Sequence, residues 1–128
     1  MADAASLMTA LFADHASAEC AYASLAARGY TPADLRLHMS SETRDRLLAS
    51  AVRRRERDGA IAALVKALVA RRLPPERAAL YDKGVRDGGI VMGLTPNTLR
   101  DAEQLKQEWR AAGATQIICS VLGDRHAA

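Results

Sequence analysis

The feature that most constrains this chain is a strand, helix and strand pattern written twice, once near each end. In the first copy, Ser6–Phe12 reads as a strand and Asp14 offers a carboxylate to cap a helix N-terminus. Ala18, Ala21, Tyr22 and Leu25 then fall on one helical face. Gly29 sits where a helix closes with a left-handed residue, and Tyr30 follows it. Thr31-Pro32-Ala33-Asp34 reads as a turn, and Leu35, Leu37 and Met39 alternate with Arg36 and His38 as a half-buried strand. In the second copy, Gly89–Thr95 is the strand and Thr98-x-x-Asp101 the helix start. Ala102, Leu105, Trp109 and Ala112 form the face, Gly113 the stop, and Thr115–Leu122 a β-branched strand. Two β-α-β halves of matching length predict an α+β, ferredoxin-like βαβ...βαβ antiparallel sheet.

A helical segment is inserted between the halves. Ser40-Ser41 caps a helix expected to run to about Asp58, with Gly59 as a weak point. Ile61, Leu64, Val65, Leu68 and Val69 make a second apolar stripe. Pro74-Pro75 ends it and starts a third helix, Glu76–Asp87, closed by Gly88-Gly89. No linker or low-complexity tract divides the chain. We therefore read residues 1–128 as a single domain: 6–40 the first half, 41–87 the insertion, 89–122 the second half.

Three of the four strands are apolar on both faces. Leu7 and Leu11 oppose Met8 and Phe12, Ile90 and Met92 oppose Val91, and Ile117 and Val121 oppose Ile118 and Leu122. Two crossover helices cover only one face of such a sheet. The other face needs a cover, which the inserted helices, a second subunit or a small-molecule ligand could supply. A homodimer through a sheet face or through the inserted helices is the expectation.

Composition narrows the class. The chain is 49% hydrophobic and 26% charged, too apolar for a disordered segment and too charged for a membrane protein. With 27 alanines, its core is expected to pack small side chains on closely spaced helices. The net charge of +3 hides an asymmetry. Residues 44–77 hold ten bases and four acids, a balance of +6, while the rest holds eight bases and eleven acids. A basic middle can mark a surface for an anion, nucleic acid or another protein, but charge balance alone bears on solubility and weak association, so a solvated helix face is the preferred reading. Cys20 and Cys119 are far apart and form no metal-binding cluster, so neither a zinc site nor a cofactor is expected. The first residues lack a basic and apolar leader pattern, and the longest apolar stretch is far short of the ~20 residues that span a bilayer. The expectation is a cytoplasmic protein with no membrane partner.

No catalytic constellation stands out. His15 follows Asp14 at a helix start, with no nucleophile implied nearby, and reads as a surface histidine. His38 lies on the polar side of its strand, and His126 falls in the tail. Tyr81, Lys83 and Arg86 could hold an anion but read as a packed tyrosine with solvated bases. Gly84 and Gly88-Gly89 match no phosphate-loop spacing. Arg53, Arg54, Arg55 and Arg57 form the candidate anion or partner surface, and the candidate nucleic-acid surface, because several arginines on one helix can neutralise phosphates. No aromatic side chain interleaves them, which argues against single-strand recognition.

The run Leu11-Phe12-Ala13-Asp14, Ala18-Glu19, Leu25, Gly29-Tyr30 and Asp34-Leu35 resembles the opening of the heat-induced stress-protein domain family (YflT-type general stress proteins). Leu73-Pro74-Pro75-Glu76, Ala79, Tyr81, Gly84-Val85 and Gly88-Gly89-Ile90-Val91 are similar to its second signature, and Arg110–Ala114 to its final helix stop. The chain departs from it in the charged run Arg44–Asp58, where such proteins carry a Gly-rich apolar segment. The resemblance implies a bacterial, stress-associated, non-enzymatic protein acting through protein–protein contacts, and it brings no catalytic residues. The alternative is a small anion- or nucleic-acid-binding module using the Arg-rich insertion.

Overall fold

The computed structural model describes residues 6–54, 59–70 and 72–121. It is an α+β arrangement around one four-stranded antiparallel sheet. The strands are β1 (Ser6–Phe12), β2 (Leu35–His38), β3 (Ile90–Leu94) and β4 (Thr115–Val121), in the order β2-β3-β1-β4. Each half is thus split by a strand of the other: β3 separates β1 from β2, and β1 separates β3 from β4.

The crossover helices are α1 (His15–Ala27) and α6 (Leu99–Ala111), and both start as the sequence dictates. Asp14 accepts a hydrogen bond from the Ser17 amide at 2.9 Å, and Thr98 Oγ1 accepts one from the Asp101 amide at 3.0 Å. Both helices also end alike. Gly29 and Gly113 adopt φ of +93° and +105°, a region where a side chain is strained. The amide after each glycine returns to a carbonyl five residues back, Tyr30 to Leu25 and Ala114 to Trp109. The insertion supplies α2 (Ser41–Arg54), α3 (Ala60–Ala70), α4 (Pro75–Ala79) and α5 (Asp82–Arg86). Ser40 caps α2 by accepting from the Thr43 amide at 3.1 Å.

Period-two alternation decides what faces where. Met8, Ala10 and Phe12 of β1 line up with Leu94, Met92 and Ile90 of β3, and Leu35 and Leu37 of β2 continue that face. All eight are buried in one cluster with the apolar stripes of α1, α3 and α6. Trp109 meets Phe12 edge to face, with ring centroids 5.6 Å apart. Its indole N–H has no hydrogen-bond partner among the described residues, so this contact rests on packing alone.

The opposite face carries Thr9, Leu11, Val91 and Ile118, and the chain covers it with its own insertion. Leu73, Tyr81 and Val85 pack on Val91, with Leu11, Ala78 and Ile118 around them. Gly84 lets α5 approach the Leu11 side chain, where a Cβ would collide with it. Here the sequence expectation needs correcting. The single helix expected over Glu76–Asp87 is two short helices, broken at Leu80 and Tyr81. Tyr81 leaves helical geometry (φ −112°, ψ 14°), and its side chain is 1% exposed against the sheet.

The reason for the break is a polar chain beneath the cover. Tyr81 Oη donates to the Gln116 carbonyl at 2.6 Å. Its single proton being used, it accepts from Thr9 Oγ1 at 2.9 Å, and Thr9 Oγ1 in turn accepts from Arg77 Nη1 at 3.0 Å. Arg77 Nη1 also donates to the Leu7 carbonyl at 3.0 Å. Gln116 has φ +51° at a bulge, where the pairing with β1 shifts between Thr9 and Leu11. Burial pushes the Tyr81 phenol above its ordinary pKa, against the opposing pull of the Thr9 hydrogen bond and the Arg77 charge. It therefore stays a neutral donor at physiological pH.

Two outcomes follow for stability. Tyr81→Phe orphans the Gln116 carbonyl and should cost about 1–3 kcal/mol in urea unfolding, with the slope unchanged; a loss within error would remove this chain from the account of the cover. Asp14 is held below the usual aspartate range by the Ser17 backbone amide, then by the Ser17 side chain. Its contribution is therefore complete above the unfolded-state pKa and fades as pH falls through the lower folded-state value. Asp14→Ala should cost about 1 kcal/mol at neutral pH, and the gap between wild type and variant should close on acidification below about pH 3.9.

Candidate anion-binding groove

The two covers of the sheet meet at its free edge, strand β2, and do not close there. The result is a half-open groove of about 750 Å³. Leu37, His38 and Met39 come from β2 and the residue after it, Arg44 and Leu48 from α2, and Val65 and Leu68 from α3. Arg72, Leu73, Pro75 and Ala78 come from the link into α4 and from α4 itself. The strand positions the link directly: Arg36 Nη1 donates to the Arg72 carbonyl at 3.2 Å.

Burial varies across this groove. Leu37 and Leu73 are buried, His38 is half-buried, and the exposed lining residues are Arg44 and Arg72 together with Leu48 and Pro75. Among the described residues no acidic side chain lines it. None of the three basic groups pairs with a carboxylate among the described residues, although Arg28, Lys83 and Lys106 do so elsewhere. Two guanidinium groups without a carboxylate partner among the described residues, beside aliphatic side chains, suit a carboxylate, phosphate or sulfonate, since each guanidinium can bind such a group in a forked geometry.

The residues singled out from sequence fare differently. Arg53 is exposed on α2 and donates to Ser50 Oγ at 3.2 Å. Arg54 is the last residue of α2, and Arg55 and Arg57 lie outside the described residues. The structure does not bring Arg53 to the groove; the basic groups it assembles there are Arg44 and Arg72 from the same basic middle. Tyr81 is the packed tyrosine expected, and Lys83 reaches Asp87 at 3.5 Å. Cys20 and Cys119 are both free, and no three His, Cys, Asp or Glu side chains among the described residues could hold a metal ion.

His15 is not a solitary surface group. Its Nδ1 lies 2.8 Å from Glu19 Oε2, and its Nε2 lies 3.4 Å from Ser50 Oγ on α2. With Nδ1–H donating to Glu19, Nε2 accepts from the Ser50 hydroxyl, whose oxygen accepts from Arg53. Sequence reasoning missed this trio because His15 and Ser50 are 35 positions apart. The order of groups is that of a nucleophile, base and orienting acid. However, Ser50 is 6% exposed in the middle of α2, where neighbouring amides are committed to the helix. Amides already used by the helix do not supply an oxyanion hole at this serine. The trio is a clasp between α1 and α2.

No protein-family model matches the chain, and neither curated proteins nor solved structures are significantly similar to it. No helix among the described residues is long and apolar enough to cross a membrane.

As a clasp, Ser50 should stay unmodified by an aryl sulfonyl fluoride or a fluorophosphonate while the protein is folded, read by intact mass. A stoichiometric adduct on Ser50 that His15→Ala abolishes would make it a nucleophile instead.

Proposed function

We propose that this chain is a non-enzymatic anion-binding module whose site is the groove at the β2 edge. The observation carrying this reading is the pair Arg44 and Arg72, exposed in one groove where, among the described residues, neither meets a carboxylate and no acidic side chain is part of the lining. His38, half-buried on β2, lines the same groove. A stress-associated role, which the family resemblance implies, is compatible with such a module, and so is a cytoplasmic setting. The fold itself we read as ferredoxin-like with an inserted helical cover. Supporting that reading, each β-α-β half is split by a strand of the other.

Self-association is the second reading. With the second sheet face under α4 and α5, the surface favouring it is on α2, where Val52 is 73% exposed one turn from Leu48, at 38%. Sedimentation at monomer mass across a wide concentration range would remove it.

Titration of inorganic phosphate into the isotope-labelled protein tests the anion site. Signals of Arg44, Arg72 and His38 should move together, and less so as ionic strength rises. Arg44→Glu combined with Arg72→Glu should abolish the response, while Arg53→Glu should leave it intact. Both arginines being exposed, the double variant should keep its stability to within about 1 kcal/mol. A response that survives the double reversal, or that Arg53→Glu removes, would overturn this assignment.

A further inference from the structure

The lining of the groove specifies more than charge. Resting on the anion-binding reading, we propose that its ligand is an amphiphile: an unbranched alkyl chain ending in one anionic head, the head held by Arg44 and Arg72, the chain against Leu37 and Leu73.

Three observations carry this. The first is volume. About 750 Å³ lies within the range of ~300–1,000 Å³ typical of sites that enclose organic ligands. A bare inorganic anion would leave most of it to water against apolar walls. The second is the distribution of polarity. Both guanidinium groups of the lining are exposed and its two buried side chains are leucines, so a ligand charged at both ends or along its length would bring charge against buried leucine. The third is the wall. Leu48, Val65 and Leu68 bring aliphatic groups from two helices, and Met39 adds an unbranched, adaptable side chain. Among the described residues no aromatic side chain lines the groove, so none of them offers a stacking surface for a nucleobase or other ring. The recognisable chemistry is one anionic head and a saturated tail. A fatty carboxylate and an alkyl phosphate share it, and the experiment separates them.

The test is calorimetric titration of the whole chain with butyrate, hexanoate, octanoate and decanoate below their micellar concentrations, with octyl phosphate and inorganic phosphate alongside. Each buried methylene should tighten binding about fourfold, so each member should bind about sixteenfold tighter than the last until the groove is filled. Leu48→Gln with Val65→Thr, which leaves the charges in place, should flatten this series and leave the inorganic phosphate response unchanged. Tighter binding of octanoate than of octyl phosphate assigns the head as a carboxylate, and the reverse order assigns it as a phosphate. A flat chain-length series with phosphate binding intact overturns the amphiphile and leaves the anion site standing. A steep series that the wall variant does not change places the chain elsewhere and overturns it too. Failure of every anion to bind overturns both readings.

Discussion

Both faces of a single four-stranded sheet have to be buried, and most of this molecule follows from that requirement. Central strands with Phe12, Met92 and Ile90 on one side and Leu11 and Val91 on the other leave no solvated face. Burial of a side chain of this size contributes about 1.5–3 kcal/mol, so two exposed apolar faces would forfeit much of the stability a domain of this size has. The crossover helices α1 and α6 account for one face, with α3 extending their layer over β2. The segment from Leu73 to Gly89 accounts for the other. The insertion thus contributes to both layers of the core, α3 to the first and the segment from Leu73 onward to the second.

A cover made of two five-residue helices has little intrinsic stability, since helices this short are marginal alone. What fixes it is the hydrogen-bonded chain from Arg77 through Thr9 and Tyr81 to the Gln116 carbonyl. Arg77 donates to Thr9, Thr9 to Tyr81 and Tyr81 to the Gln116 carbonyl, so both hydroxyl protons are used. The chain touches α4, Tyr81 in the two-residue break between α4 and α5, β1 and the bulge of β4, so it sets the cover in register with the sheet. An apolar contact could slide; a directional chain with a buried phenol at its centre cannot, because a displaced hydroxyl would be buried without a partner.

Much of the fold was legible in local signals. Asp14, Ser40 and Thr98 mark helix starts because their side-chain oxygens satisfy free amides, and Gly29 and Gly113 mark stops because only glycine adopts that backbone without strain. The two-faced strands announced that something had to cover the second face. What covers it was not legible, because the candidates differ only in long-range contacts. The break at Tyr81 was equally hidden: Glu76–Asp87 has an uninterrupted helical look, and only the reach to Thr9 and Gln116, 72 and 35 positions away, explains the kink. The groove was half legible. Arg44 and Arg72 were counted in the basic middle, but the denser run beginning at Arg53 drew attention away from them. Density of charge along the chain is a poor guide to which charges lie beside an apolar wall.

The interleaved strand order carries a consequence for how the chain is made. β1 pairs only with β3 and β4, and β2 only with β3. The first half of the sequence therefore contains two strands and not one strand pair. Until residues 90–94 leave the ribosome, helices can form but the sheet cannot, and the apolar edges of β1 and β2 wait without partners. When β3 arrives it enters between them and completes both pairings together, closing a loop of nearly eighty residues around β1 in one step. Such a topology places its slowest event late and its most exposed surface early, so the chain is most dependent on protection while it is still unfinished.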